Sequence, residues 1–307
     1  MNTVIHIGFP KTGTTTQQEH LFSKHFQIEY LGKPYSNPHF QSVILNLVMQ
    51  ESLHFDFQHS KKVILDHVTP LERLKKIFLI SEELFVSASK ARDKGIVAQR
   101  IKDIFFPCKI LITIRNQFDI LKSAYINGGR LLKHALSPFN EYAISFNDWL
   151  EISTRNLSKS FIGNVDYYPT IKYYSDLFGK GNICVLLFED FRKNQKIYLN
   201  ELTQFLGIDY DESVRLLEAK HENIRIKQST LDYERLRTQF FPVSRLSIIS
   251  KILKSFCYLK TRIIKDGEAD VDFPRQWVEW LSNFYQAGNR NLISEYKLPL
   301  DEYGYPV

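Results

Sequence analysis

What most limits the fold of this chain is its opening stretch, VIHIGFPKTGTTTQQ at residues 4–18, an apolar run that breaks at a glycine turn and resumes as a polar, helix-like segment. Strand, tight turn and helix in that order belong to α/β architecture, in which the helix N-terminus faces whatever binds beyond the strand end. Gly8 and Gly13 keep the spacing of a phosphate-binding loop, and Thr15 keeps its hydroxyl position. The lysine is displaced. Thr14 stands where a nucleotide-triphosphate loop carries lysine, and Lys11 lies inside the turn. Backbone N–H groups of residues 11–15 would still form a concave donor array, with the positive end of the following helix behind it. A lysine within the turn would lie beside a group being transferred and its bridging oxygen, and would not clamp a pair of terminal phosphates.

The rest of the chain agrees with this architecture. Short β-rich runs at 3–9, 28–32, 77–81, 109–115 and 183–188 alternate with helical patterns at 14–26, 39–52, 93–105, 117–127, 168–178 and 191–206. That alternation predicts an α/β fold, a P-loop-like parallel sheet flanked by helices. After about residue 208 the strand patterns stop and the chain reads as helical, opening 273–296 with a proline in the first turn. The expected organisation is one domain over 1–307, with 1–209 as sheet core and 210–307 as a helical elaboration. With 307 residues, 44% of them hydrophobic, a large core is within reach and disorder is excluded. A net charge of +6 suits an anionic ligand but is too mild to argue for nucleic acid. The three cysteines, Cys108, Cys184 and Cys257, are far apart and read as reduced residues, with neither a disulfide framework nor a zinc site suggested. No apolar run reaches the roughly 18 residues of a membrane span, and residues 3–9 behave as a strand, not as a leader. A cytoplasmic location is expected.

A second motif joins the first. In ILITIRNQFDILKSAYINGGR (110–130) an apolar strand ends at Arg115, and Ser123 follows eight residues later on the next helix. A guanidinium offers forked donors to a phosphate, and a hydroxyl adds a neutral donor at a fixed helical position. Strand, PKTGTT and helix resemble the 5′-phosphosulfate loop of the sulfotransferases that use 3′-phosphoadenosine 5′-phosphosulfate (PAPS), and Arg115 with Ser123 resembles their 3′-phosphate motif. Residues 167–209, with a helix, FG, a strand, an E-D turn and a helix ending in FLG, look like the same family, and 289–306 look like the tail of its bacterial carbohydrate-type members.

The resemblance implies PAPS as donor, 3′-phosphoadenosine 5′-phosphate (PAP) as product, and no metal. Lys11, Thr12, Gly13, Thr14 and Thr15 would hold the donor's 5′ side, and Arg115 and Ser123 its 3′-phosphate. Lys11 would also stabilise charge on the transferring group. Glu82 and Glu83 close a predicted strand in FLISEELF (78–85), where glycan-type members carry a serine and a glutamate; Glu83 fits best as general base, although acidic residues at a helix start are also favoured by the dipole alone. His67 ranks as a distant second base, and His6, alternating with core residues, is expected to be buried. In HENIRIKQST (221–230), Arg225 and Lys227 could close on the 3′-phosphate or could equally be an exposed basic linker. The GxxGxxK signature of hormone-type members is absent there, which favours the carbohydrate-type branch.

The function these features imply is sulfuryl transfer by in-line displacement to a hydroxyl, or secondarily an amine, of a saccharide or glycolipid. Two other classes remain at this level. A P-loop kinase would need the missing lysine after Gly13. A non-catalytic membrane or polyanion binder would use the basic stretch 245–265, whose Ile248, Ile252, Phe256, Leu259 and Ile263 share one helical face and which could also give the enzyme a peripheral membrane contact.

Overall fold

The computed structural model describes residues 2–86, 93–129, 143–218, 227–232 and 267–307. Its centre is a sheet of five parallel strands: β1 (Thr3–His6), β2 (Ile28–Tyr30), β3 (Ile77–Ser81), β4 (Cys108–Ile114) and β5 (Ile183–Leu187). They lie in the order β2-β3-β1-β4-β5. Every residue of β1 and β3 is buried, which is why both read as mostly apolar runs and not as an alternating pattern. The connection leaving β1 runs towards β2, whereas the one leaving β4 runs towards β5 on the other side. The two loops therefore diverge at the centre of the sheet, and the crevice between them is where an open α/β sheet keeps its ligand.

The pleat divides the core in two. Ile5, Phe78, Ile80, Ile110 and Ile112 face the larger half, with α2 (Pro38–Met49), α4 (Lys94–Phe105) and α8 (Tyr167–Phe178). Val4, Leu79, Leu111 and Leu186 face the smaller half, under Leu21 and Phe22 and under α10 (Gln195–Leu206) and α11 (Tyr210–Leu217). The chain from Arg275 to Tyr296 is one helix, α12, tied to α8 by Tyr168 Oη donating to Glu295 Oε1 (2.7 Å) and Tyr296 Oη donating to Ser175 Oγ (2.8 Å). A further tie, from Tyr285 Oη to the Ile162 carbonyl (2.9 Å), reaches α7 (Phe161–Asn164).

Several helices differ from expectation. The one expected over 14–26 is α-helical only at Thr14–Thr16 (α1), widens to a π-helix at Gln17–Phe22, and stops because Lys24 and His25 turn back onto the Leu21 carbonyl to enter β2. The one expected over 191–206 is two helices, α9 (Phe188–Lys193) and α10, broken at Asn194, which leaves helical geometry at φ −134°. α5 (Gln117–Ala124) also runs on as a π-helix, Tyr125–Gly129. α3 (Phe57–Val68) and α6 (Phe146–Thr154) were not expected. Asp56 caps α3 by accepting from His59 N (2.8 Å), and Ser145 caps α6 by accepting from Asp148 N (3.1 Å).

α2 and α3 form a hairpin whose connecting segment is pinned by one cation. Arg100 of α4 donates through Nη1 to the carbonyls of Leu47 (2.9 Å) and Gln50 (2.8 Å), at the end of α2, while its guanidinium lies 4.0 Å from the Phe55 ring centroid. Helix-end carbonyls have no partner within the helix, so a buried guanidinium both satisfies them and complements the negative end of the dipole. Arg100→Ala is expected to cost roughly 2–4 kcal/mol, the loss of two charge-assisted bonds, one of which leaves the carbonyl of buried Leu47 unpaired. Urea denaturation measures it, with a loss below 0.5 kcal/mol (on the order of an ordinary surface substitution) as the contrary result.

Candidate active site

The turn after β1 curls because Lys11 (φ 73°) and Gly13 (φ 75°) both take the left-handed conformation. Such alternation points successive N–H groups into one concavity, the geometry that holds an anion. A positive φ is uncommon for a residue with a side chain and persists where the surroundings enforce it. Here Thr12 fixes the turn, its buried hydroxyl donating to the Phe9 carbonyl at 2.6 Å, so Thr12 offers the concavity its backbone only. Gly8 must lack a side chain, because a Cβ there would lie 2.4 Å from Thr14 Cγ2.

Arg115, one residue past β4, comes to this turn directly. Its Nη1 donates to the Lys11 carbonyl at 3.2 Å, and its guanidinium lies 4.8 Å from the Phe188 ring centroid. Tyr167 Oη donates to the Arg115 carbonyl at 2.6 Å, which fixes the strand end from the other side. The two motifs of the sequence are thus one structural unit. Ser123 is half-buried on the last turn of α5, the helix that starts just beyond Arg115.

The end of β3 supplies the acid. Glu83 opens a short 3₁₀ turn, Glu83–Phe85, and accepts a hydrogen bond from Thr14 Oγ1. Its charge also reaches Lys11. Burial pulls the Lys11 ammonium below its ordinary pKa, Glu83 pushes it back up, and Arg115 pulls it down again. Glu82 beside it is buried and has both oxygens engaged, Oε2 with Tyr35 Oη (2.8 Å) and Oε1 with Leu84 N (3.1 Å). His67 lies on the last turn of α3, its ring against Phe40 and its Nδ1 bonded to Asn37 Nδ2 (3.2 Å).

Lys227 is exposed and pairs with Glu268 in an isolated antiparallel bridge. That segment is drawn onto α5, since Asp270 N donates to Gln228 Oε1 (3.1 Å) and Lys122 Nζ bridges Asp270 (3.3 Å). Arg225 and the basic stretch 245–265 lie outside the described residues. Among the described residues no group of three or more His, Cys, Asp and Glu could hold a metal ion, and no helix is long and apolar enough to cross a membrane.

Four residues around the site carry no motif of their own: Tyr167, Phe188, Tyr35 and His6. His6 is fully buried beneath the turn, bonded to Ser81 Oγ (2.8 Å), which also accepts from Gln18 Nε2 (2.9 Å). Only its place in an apolar run marks it in the sequence.

An open parallel sheet with an anion cradle, a lysine and an arginine at its central crevice defines a class of group-transfer proteins that grip a phosphorylated donor. Residues 2–240 match the sulfotransferase domain family. The chain belongs to that family, and it is a PAPS-dependent sulfotransferase. This membership decides for sulfuryl transfer over the kinase and the non-catalytic binder. Comparison with curated protein sequences gives no match. Among solved structures, the chain is similar to a sulfotransferase from Alicyclobacillus acidocaldarius, at 20% identity and a TM-score of 0.45 over 82% of this chain and 96% of that one. It is also similar to the sulfotransferase domain from the curacin biosynthetic pathway, at 11% identity and a TM-score of 0.45 over 72% of this chain and 78% of that one. A third is mouse sulfotransferase SULT7A1 complexed with PAP, at 14% identity and a TM-score of 0.35 over 84% of this chain and 88% of that one. At this distance it is the domain match that assigns the family.

Burial lowers the His6 pKa from 6.5 to about 3, so the ring is neutral in the folded protein at ordinary pH. Above pH 6.5 the ring is neutral in both states and adds no pH dependence. Below it the unfolded chain takes up a proton that the folded protein refuses, so stability falls as pH falls towards 3. Between pH 8 and pH 5 this one site should remove about 2 kcal/mol. His6→Gln should flatten the wild-type profile by that amount in chemical denaturation at several pH values, and parallel profiles would refute it.

Proposed function

We propose that this sulfotransferase moves a sulfuryl group from PAPS to a hydroxyl of a saccharide or glycolipid, as in the bacterial carbohydrate-type branch, by a single in-line displacement that leaves PAP. The observation that carries the assignment of roles is the bond from Arg115 Nη1 to the Lys11 carbonyl, which brings both phosphate motifs to one crevice.

The cradle fits such a donor on its own chemistry: a concave backbone, a glycine where any Cβ would collide, and two cations of which one is partly desolvated. PAPS supplies an activated sulfur whose S–O bond to phosphate breaks as the acceptor O–S bond forms. The backbone N–H groups of residues 11–15, with the hydroxyl of Thr15, hold the 5′ side, while the Thr14 hydroxyl donates to Glu83. Arg115 and Ser123 hold the 3′-phosphate, and Lys227 and Arg225, the latter outside the described residues, are assigned to the same phosphate. Lys11 neutralises the charge that develops on the equatorial sulfonate oxygens and on the departing phosphate oxygen. Partial burial strengthens that interaction, because a charge in a poorly solvated crevice is less screened. Glu83 takes the acceptor hydroxyl proton, and the oxygen's electron pair forms the new bond. Lys11 and Glu83 thus act on opposite ends of one transfer, one where negative charge appears and one where a proton leaves.

Lys11→Ala is expected to lower kcat by about 10²–10³-fold, the worth of one such donor, while changing PAP affinity far less. Arg115→Ala should do the reverse, mainly weakening PAP binding. Isothermal titration with PAP and donor-labelled turnover on both variants check the division, and an equal loss of binding in the two would contradict it.

Glu83→Gln keeps an acceptor for the Thr14 hydroxyl but cannot take a proton, so turnover should drop by about 10²–10⁴-fold with PAP affinity retained. Labelled transfer from PAPS to a panel of saccharides and glycolipids reads both the acceptor class and this loss. A panel in which only phenols or steroids accept the label would overturn the carbohydrate assignment.

A further inference from the structure

The C-terminal tail ends against the back of the Arg115 turn. Glu189, the second residue of α9, is buried under that turn, and its Oε1 accepts from Asn116 N at 2.9 Å. Its Oε2 accepts from Tyr305 Oη at 3.0 Å. Tyr305 is buried and belongs to the last few residues of the chain. The tail is in turn held by Asn116, whose Nδ2 donates to the carbonyls of Tyr303 (3.1 Å) and Gly304 (2.8 Å). On either side of Glu189, Phe188 underlies the Arg115 guanidinium and Asp190 accepts from Tyr303 Oη. Asn289 of α12 closes the arrangement, donating to the Pro306 carbonyl (2.7 Å).

The sequence FED at 188–190 and the sequence EYGYP at 302–306 thereby have a shared purpose. We propose that Glu189 and Tyr305 are positioning residues for the donor's 3′-phosphate: the tail locks the Glu189 carboxylate, and the carboxylate locks the Arg115–Asn116 turn, so that the guanidinium is presented in one orientation.

The physical case rests on three points. A guanidinium binds phosphate well only when its planar fork is presented correctly, so its orientation matters as much as its charge. The turn leaves β4 and enters α5 within two residues, Arg115 and Asn116, so fixing the Asn116 N–H fixes the strand end. A buried carboxylate is retained only where donors satisfy it, and two of the donors here come from segments far apart in sequence, the turn after β4 and the C-terminal tail. Burial raises the Glu189 pKa, while the Asn116 N–H, Tyr305 and Arg115 each lower it again, which is the pattern of a carboxylate held beside a cation. The tail is thus part of the donor site in effect, although it touches none of the atoms that would bind the donor.

This inference rests on Arg115 as the 3′-phosphate residue, and its test separates the two. The affinities of the full chain for PAP and for adenosine 5′-phosphate, which lacks the 3′-phosphate, are measured by isothermal titration for wild type and for Tyr305→Phe, Glu189→Gln, Glu189→Ala and Arg115→Ala. Tyr305→Phe and Glu189→Gln should weaken PAP by about tenfold, the worth of one hydrogen bond to a charged group, and leave adenosine 5′-phosphate within about twofold (a residual effect well below one such bond). Glu189→Gln, which keeps an acceptor for the Asn116 N–H, should retain more PAP affinity than Glu189→Ala. Tyr305→Phe removes only a hydroxyl, so it carries the test should either Glu189 variant fail to fold. An unchanged ratio of the two affinities in Tyr305→Phe, with a reduced ratio in Arg115→Ala, overturns the lock and keeps the role of Arg115. Equal weakening of both nucleotides would make the tail merely structural and also overturns it. A ratio untouched in Arg115→Ala overturns the role of Arg115 and the lock together.

Discussion

One hydrogen bond organises the site: the Arg115 guanidinium donating to the carbonyl of Lys11. It joins the loop after β1 to the loop after β4, and these are the two loops that strand order forces apart. An arginine pulled from water loses hydration that only fixed partners can replace. Here a carbonyl, an aromatic face and the neighbouring Glu189 take that part. The turn at Lys11 gains in return a partner that helps to hold its left-handed backbone. Through that bond two segments about a hundred residues apart (Lys11 and Arg115) are held together at one crevice.

Charge at the crevice is arranged asymmetrically. Arg115 has a permanent charge and a firm backbone contact, which suits it to binding. Lys11 is pulled down by burial and answers to both Glu83 and Arg115, so its ammonium feels its neighbours strongly. That sensitivity suits a group meant to respond to charge that appears during a reaction. Glu83 is joined to the same cradle through Thr14, and the adjacent Glu82 is spent on structure, tying the 3₁₀ turn to Tyr35. Two neighbouring carboxylates thus differ in exposure and partners because Glu82 caps the 3₁₀ turn and Glu83 is its first residue.

The strands were legible because a central parallel strand is buried on both faces and so is mostly apolar, as VIHI, IFLIS and ILITI are, with only His6, Ser81 and Thr113 polar. The cradle was legible because glycine spacing and a lysine within six residues, Gly8 to Gly13, form a local pattern. α3 escaped notice because its buried stripe is thin, Ser60, Ile64 and Val68, with lysines and histidines around it. Its signal was Asp56, whose carboxylate caps the first turn. The break at Asn194 left no mark, since neither proline nor glycine stands there. Glu189 and Tyr305 could not be connected by inspection, because 116 residues separate them and only packing brings them together.

This contrast divides the protein's requirements in a physical way. Groups that supply charge to a ligand must be presented by tight local turns, so their spacing is constrained and can be read along the chain. Groups that hold those turns need only arrive with the right donor or acceptor, from any distance. Tyr167 comes from α8, Phe188 from α9 and Tyr305 from the tail, and all three converge on the few atoms of the Arg115–Asn116 turn or on the carboxylate beneath it. Because each closes a long loop, the ordering cost of the site is met by the whole fold and not by the loop itself. A short loop carrying two left-handed residues and a half-buried lysine is held in shape on those terms. The crevice is therefore best regarded as the outer surface of a network whose anchoring half lies beneath the Arg115–Asn116 turn.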